Sequence, residues 1–97
     1  MTADEDFERM IDTLPVAAGV YVLLGQNGRR YTGAARNIRA RLKDHRAGRC
    51  SRTKSQRPLK IVLIEVADSF QSALKRERYL KTGQGRAWLN SRQTVSP

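Results

Sequence analysis

This sequence is short of several residue types that would each open a class of function. Its 97 residues hold one cysteine, Cys50, and one histidine, His45. One cysteine excludes an internal disulfide and any multi-cysteine zinc site. The want of disulfides fits a reducing cytoplasm, where the protein is expected to work. Long apolar runs are missing too. The longest, 16–24, falls far short of the roughly 20 residues that span a bilayer, and it has Gly19 inside it. Residues 1–8 are acidic, the opposite of a secretory leader. A chain of this length predicts one domain, 1–97, with a small core.

Acidic residues are scarce where the chain is most basic. Five of the nine acids (Asp4, Glu5, Asp6, Glu8 and Asp12) precede residue 13, whereas Arg29 to Lys60 holds twelve Lys or Arg and one acid, Asp44. The formal net charge is +10, and fourteen of the nineteen basic residues are Arg, whose planar fork suits phosphate. Solubility alone does not require such clustering. A polyanion is the expected partner, nucleic acid first, with DNA ahead of RNA. A membrane surface fits less well, since no helix pairs this charge with a wide apolar face free of core duty.

Hydrophobic periodicity predicts an α+β fold: a small three-stranded antiparallel sheet flanked by helices, in the order α-β-β-α-β-α. Residues 4–13 read as a short acidic helix, with Phe7, Met10 and Ile11 at helical spacing and Leu14-Pro15 ending it. Residues 18–24 read as a buried strand, 29–34 as its return and 59–66 as a third, apolar strand. Asn37 caps a helix over 38–47 that Gly48 closes. Asp68 or Ser69 caps another over 70–81, ended by Gly83. Residues 48–58 read as a basic loop, 86–91 as a last turn around Trp88, and about 92–97 as a frayed tail.

The hairpin carries Tyr21 and Tyr31, and its loop decides whether they meet. A two-residue turn at Asn27-Gly28 would put them on opposite faces. A three-residue loop of Gln26, Asn27 and Gly28, with Gly28 left-handed in a bulge, sets Tyr31 against Leu23 and Tyr21 against Gly33. Both hydroxyls then point to one side, and this arrangement is expected.

In the helix over 38–47, about 100° per residue turns Ile38 and Leu42 inward. Arg36, Arg39, Lys43 and Arg46 share the solvent side. Arg41 and His45 lie beside the apolar face, directed at the sheet edge. There an arginine can hold a phosphate and a histidine can orient or accept a proton. The plainer reading is a snorkelling Arg41 and a partly exposed His45. In the helix over 70–81, Glu77 falls among Phe70, Ala73, Leu74 and Leu80, where a carboxylate needs compensation. It is a metal ligand, as one carboxylate with waters and phosphate is a normal way to hold Mg²⁺, or else the partner of Lys81 or Arg41. Arg49, Arg52, Lys54 and Arg57 form a candidate phosphate-contacting flap. Trp88 reads as a core plug. Asn90 either hydrogen-bonds near the site or caps the C-terminus.

Gly19-Val20-Tyr21, nine residues, then Tyr31-Thr32-Gly33 resembles the signature of the GIY-YIG nucleases. The likeness continues from Ala34 to His45, with Arg41 and His45 spaced as Arg-x-x-x-His, and returns at Ala73-Leu74-Lys75-Arg76-Glu77. Leu14-Pro15 ahead of the first motif resembles the N-terminal nuclease domain of the bacterial excision-repair incision subunit. Residues 80–89 are more similar to the small free-standing bacterial members. Val20 and Thr32 depart from the usual Ile. The resemblance implies phosphodiester hydrolysis with one divalent metal, Mg²⁺ or Mn²⁺. By it, Tyr21 helps activate the attacking water with His45 assisting, and Tyr31 shapes the site. Arg41 stabilises the scissile phosphate, Glu77 holds the metal, and Asn90 matches a supporting residue loosely. The competing function is a non-catalytic basic module that binds nucleic acid. Such a binder has no need of a carboxylate like Glu77 on an apolar face.

Overall fold

The computed structural model describes Phe7 and residues 9–93. Asp4, Glu5, Asp6, Glu8 and the tail from residue 94, with part of the expected acidic helix and the expected frayed end, lie outside the described residues. Phe7 and residues 9–11 are helical, and Phe7 and Ile11 are buried. Met10 is exposed, contrary to expectation.

Three antiparallel strands, β1 (Gly19–Leu24), β2 (Arg30–Ala35) and β3 (Lys60–Val66), form one sheet in the order β2-β1-β3. The central strand is covered on both faces, which is why its sequence is a continuous apolar run rather than an alternation. Tyr21 and Leu23 face one layer, with Leu42, Ile38 and the N-terminal residues Phe7, Ile11 and Leu14. Val20 and Val22 face the other, with Ala73, Leu80 and Leu89. In β3 the pairing to β1 shifts between Val22 and Leu23. This bulge breaks the alternation, so that Ile61 and Ile64 pack on the first layer and Val62 and Leu63 on the second.

Helix α1 (Ile38–Ala47) starts at Asn37, whose side chain accepts from the Ala40 N–H, and stops at left-handed Gly48. Its first N–H groups donate back to the carbonyls of Ala17 and Pro15, so its orphan donors also strap it to the segment before β1. Residues 48–58 are not all loop. A short helix, α2 (Ser51–Lys54), forms within them, because Cys50 and Thr53, at i and i+3, bury their small side chains. Ser69 caps α3 (Phe70–Leu80). Helix α3 stops earlier than expected, with Lys81 rather than Gly83 at its C-cap, and Gly83 instead opens α4 (Gly83–Gln93), a full helix where the sequence predicts only a last turn. The Thr82 hydroxyl makes the junction: it donates to the Tyr79 carbonyl and accepts from the Gly85 N–H. Burial of Leu89 and packing of Trp88 on the second layer outweigh the low helix propensity of Gly83 and Gly85. No helix among the described residues is long and apolar enough to cross a membrane.

Candidate active site

The hairpin loop decides the site, and it is the three-residue form. Gly25 N–H donates to the Arg29 carbonyl, Gly28 has φ of +81°, and Asn27 Oδ1 accepts from the Arg29 N–H. Tyr31 therefore pairs with Leu23 and Tyr21 with Gly33. Both tyrosines lie on the α1 face, ring centroids 6.3 Å apart. Gly33 is required there, since a Cβ on it would sit 2.5 Å from the Tyr21 hydroxyl. The Tyr21 side chain thus lies across β2, and β2 is the edge of the sheet.

Helix α1 brings His45 to the same hydroxyl. Tyr21 Oη and His45 Nε2 are 2.8 Å apart, and the other ring nitrogen, Nδ1, is 2.8 Å from Thr53 Oγ1. The three residues are enclosed, at 1%, 0% and 2% exposure. Burial, helped by the nearby Arg41 charge, pushes the His45 pKa down to about 4, so the imidazole is neutral at pH 7. Burial likewise holds the Tyr21 phenol well above its ordinary value, although a hydrogen bond from Arg41 opposes the rise. Arg41 is the exposed member of the group, its guanidinium held more firmly charged by that same hydroxyl. With Tyr31, Arg49, Cys50, Ser51 and Arg52 it lines a cavity of about 280 Å³.

Tyr21, Tyr31, Arg41 and His45 are therefore together. Glu77 is not in contact with them through any described hydrogen bond; it belongs to the other layer. Its placement is still informative. Arg36, just after β2, stacks on Phe70 at the start of α3, 4.3 Å from the ring centroid. Lys81, at the other end of α3, shares a groove with residues 28–32. Helix α3 thus runs along β2, and Glu77 lies beside the middle of that strand. The tyrosine pair and the carboxylate thus lie on opposite faces of the sheet.

Glu77 makes an ion pair with Lys81, 3.3 Å, and keeps 19% of its side chain exposed. Among the described residues no three His, Cys, Asp or Glu come together, so no closed protein cage for a metal is built. One partly buried carboxylate with an exposed rim fits a hard cation that fills its shell with water and phosphate oxygens. An ammonium at such a surface pair is held weakly and can yield to it. Among the described acids, Asp44 pairs with Arg49, and Glu65 takes Arg76 through both oxygens.

The expected phosphate ligands divide. Lys43, Arg46, Arg52 and Lys54 are exposed. Arg39 donates to the Leu14 carbonyl and Arg57 to the carbonyls of Lys54 and Arg46, so both brace the backbone. Trp88 packs on the core while Arg76 and Arg92 stack on its ring. Asn90 is exposed on α4.

Two things escape a reading of the sequence. One is a groove of about 750 Å³ along the β2 edge, where Arg29, Arg30, Arg52, Lys81 and Arg86 converge beside Tyr31. These residues are scattered along the chain, and only the fold assembles them. The other is Thr53. Nothing in the basic stretch around it marks Thr53 out from Ser51, Ser55 or Gln56.

Comparison with known proteins agrees with the geometry. The chain is 42% identical over 64 residues to a UPF0213 protein of Syntrophus aciditrophicus (strain SB), covering 64% of this chain and 74% of that protein. It is 38% identical over 64 residues to a UPF0213 protein of Staphylococcus aureus (strain Mu3 / ATCC 700698), covering 65% and 78%. No solved structure matches it significantly. Residues 17–90 match the GIY-YIG catalytic domain. The stretch holds both tyrosine strands, Arg41, His45 and Glu77, and the chain belongs to the GIY-YIG family.

Proposed function

We propose that this protein is a divalent-metal-dependent endonuclease that hydrolyses phosphodiester bonds in DNA. Family membership supports a nuclease-type function on nucleic acid; metal dependence, DNA and the residue roles are the finer reading. One observation carries it: an enclosed tyrosine hydroxyl is hydrogen-bonded to a neutral histidine at 2.8 Å and is touched by an arginine. Water activation beside a phosphate uses this combination of groups.

In this reading the strand crosses the free edge of β2. Arg41 holds a non-bridging oxygen of the scissile phosphate and stabilises the charge that develops on it. Tyr21 orients the attacking water and takes its proton as its own passes to His45. Tyr31 walls the site and positions the water or phosphate. Glu77 would hold Mg²⁺ or Mn²⁺, which supplies charge neutralisation at the phosphoryl and leaving oxygens. The cations Arg29, Arg30, Arg52, Lys81 and Arg86 would carry the flanking phosphates, with Lys43, Arg46 and Lys54 extending that field. Phosphate contacts of this kind position a strand without reading its sequence. The lone thiol of Cys50 and the polyanionic substrate fit a cytoplasmic setting.

The test is cleavage of single-stranded, duplex and branched DNA, with RNA alongside, in Mg²⁺ or Mn²⁺. Wild type should cut, and Glu77→Ala should bind without cutting. A wild type that binds every substrate and cuts none with either metal would make the protein a non-catalytic binding module instead.

A further inference from the structure

Thr53 lies in the segment 48–57, which looks from its charge like a phosphate flap. Its own backbone is tightly held. Cys50 and Thr53 are buried, and the Arg57 guanidinium ties Lys54 to Arg46 through their carbonyls. What this buckle places is a hydroxyl 2.8 Å from His45 Nδ1.

The hydrogen bonds around His45 have one consistent direction. The Tyr21 hydroxyl is enclosed and carries its proton at neutral pH. The Tyr21 proton then needs an acceptor, and His45 Nε2 stands 2.8 Å away. A neutral imidazole that accepts at Nε2 carries its proton on Nδ1. That proton meets Thr53 Oγ1, whose own proton goes to the Cys50 carbonyl at 3.5 Å. Reversing the imidazole would require Thr53 to turn its proton from the Cys50 carbonyl to Nδ1, and would leave the enclosed Tyr21 proton without an acceptor, a costly arrangement.

We propose that Thr53 is a positioning residue that fixes His45 as the Nδ1–H tautomer, so that Nε2 stands ready to receive the Tyr21 proton. The proposal rests on the nuclease reading for its catalytic consequence, though not for the tautomer itself. During attack the water oxygen forms a bond to phosphorus while the bond to the leaving oxygen breaks. The leaving oxygen departs with the electron pair and takes a proton from solvent. The water proton passes to the Tyr21 oxygen, and the Tyr21 proton passes to Nε2. The imidazolium so formed keeps its Nδ1 proton on Thr53 and later returns one proton to solvent.

The chain has one histidine, so a long-range ¹H–¹⁵N spectrum of the uniformly labelled full-length protein shows a single imidazole. At pH 7 wild type should give a pyrrole-type Nδ1 and a pyridine-type Nε2. Thr53→Ser, which keeps the hydroxyl, should give the same pattern. Thr53→Val should show mixed or reversed tautomers. Its cleavage rate should fall at least tenfold while its affinity for a DNA oligonucleotide stays within twofold, and Thr53→Ser should restore most of the rate. A wild-type imidazole protonated on Nε2 overturns the proposal, even should the valine variant fold poorly. So does a folded Thr53→Val that keeps the wild-type tautomer. A protein with the expected tautomer that cuts no substrate would instead remove the nuclease reading and leave the hydrogen-bond direction standing.

Discussion

On the α1 face of the sheet the polar groups are enclosed. Tyr21, His45 and Thr53 are buried, and their hydrogen bonds to one another offset the loss of water. On the α3 face the charges stay at the rim. Glu77 with Lys81, and Glu65 with Arg76, are partly exposed pairs over an apolar layer of Val20, Val22, Ala73 and Leu80. The first face holds its hydrogen-bonded groups in one geometry, because an enclosed group that loses its partner has no water to turn to. The second keeps a carboxylate whose partner is exchangeable, because a surface pair is worth little. The proposed nuclease site draws on both kinds of group, one from each face of the sheet.

Breaking each side tests that contrast. Glu77→Ala should take cleavage to background while changing stability by only about 0.5 kcal/mol, as for a surface i,i+4 pair. A thermal melt beside a cleavage assay checks both halves. Tyr21→Phe should couple what Glu77→Ala separates. Cleavage should fall by about 10²–10⁴-fold, and stability by about 1–3 kcal/mol through the unpaired His45 nitrogen, read by denaturant unfolding. Gly33→Ala should cost roughly tenfold or more in rate with a lower Tm, since the new methyl must displace the Tyr21 hydroxyl and misplacement of a reacting group is expensive.

The pH response sharpens the contrast further. His45 titrates near 4 when folded and near 6.5 when unfolded. The unfolded chain therefore binds more protons between those values, so this contribution to stability is complete above pH 6.5 and is lost as pH falls towards 4. Tm should drop over that window, and His45→Gln should flatten the drop. The smallest effect is expected at the groove. Arg86→Ala should weaken DNA binding modestly and lower the slope of log K against log salt by about 0.7–0.9, measured by fluorescence anisotropy at several ionic strengths.

Much of this is legible in the chain. The α1 cap at Asn37, the glycine stop at Gly48 and the three-residue hairpin loop follow from local chemistry, and they are found. The loop alone brings Tyr21 and Tyr31 to one face. The pitch of α1 also directs Arg41 and His45 correctly, though His45 is wholly enclosed rather than partly exposed. What stays hidden depends on packing between distant segments. Thr53 gains its meaning only when α2 folds under His45. Arg39 and Arg57 look like their phosphate-facing neighbours until the carbonyls they brace are in place. Helix α4 is obscured by two glycines whose local preference Leu89 and Trp88 override.

The free edge of β2 has one more consequence. An unpaired strand edge is a template for another strand of the same kind, and proteins guard such edges with charge. Arg30 begins β2 with Arg29 just ahead of it, and Lys81 and Arg86 share their groove. Two copies approaching edge to edge would bring these cations together and repel. The charges that recruit a polyanion thus also keep the chain from pairing with itself, and for as long as a phosphate backbone neutralises them, that backbone must do the guarding.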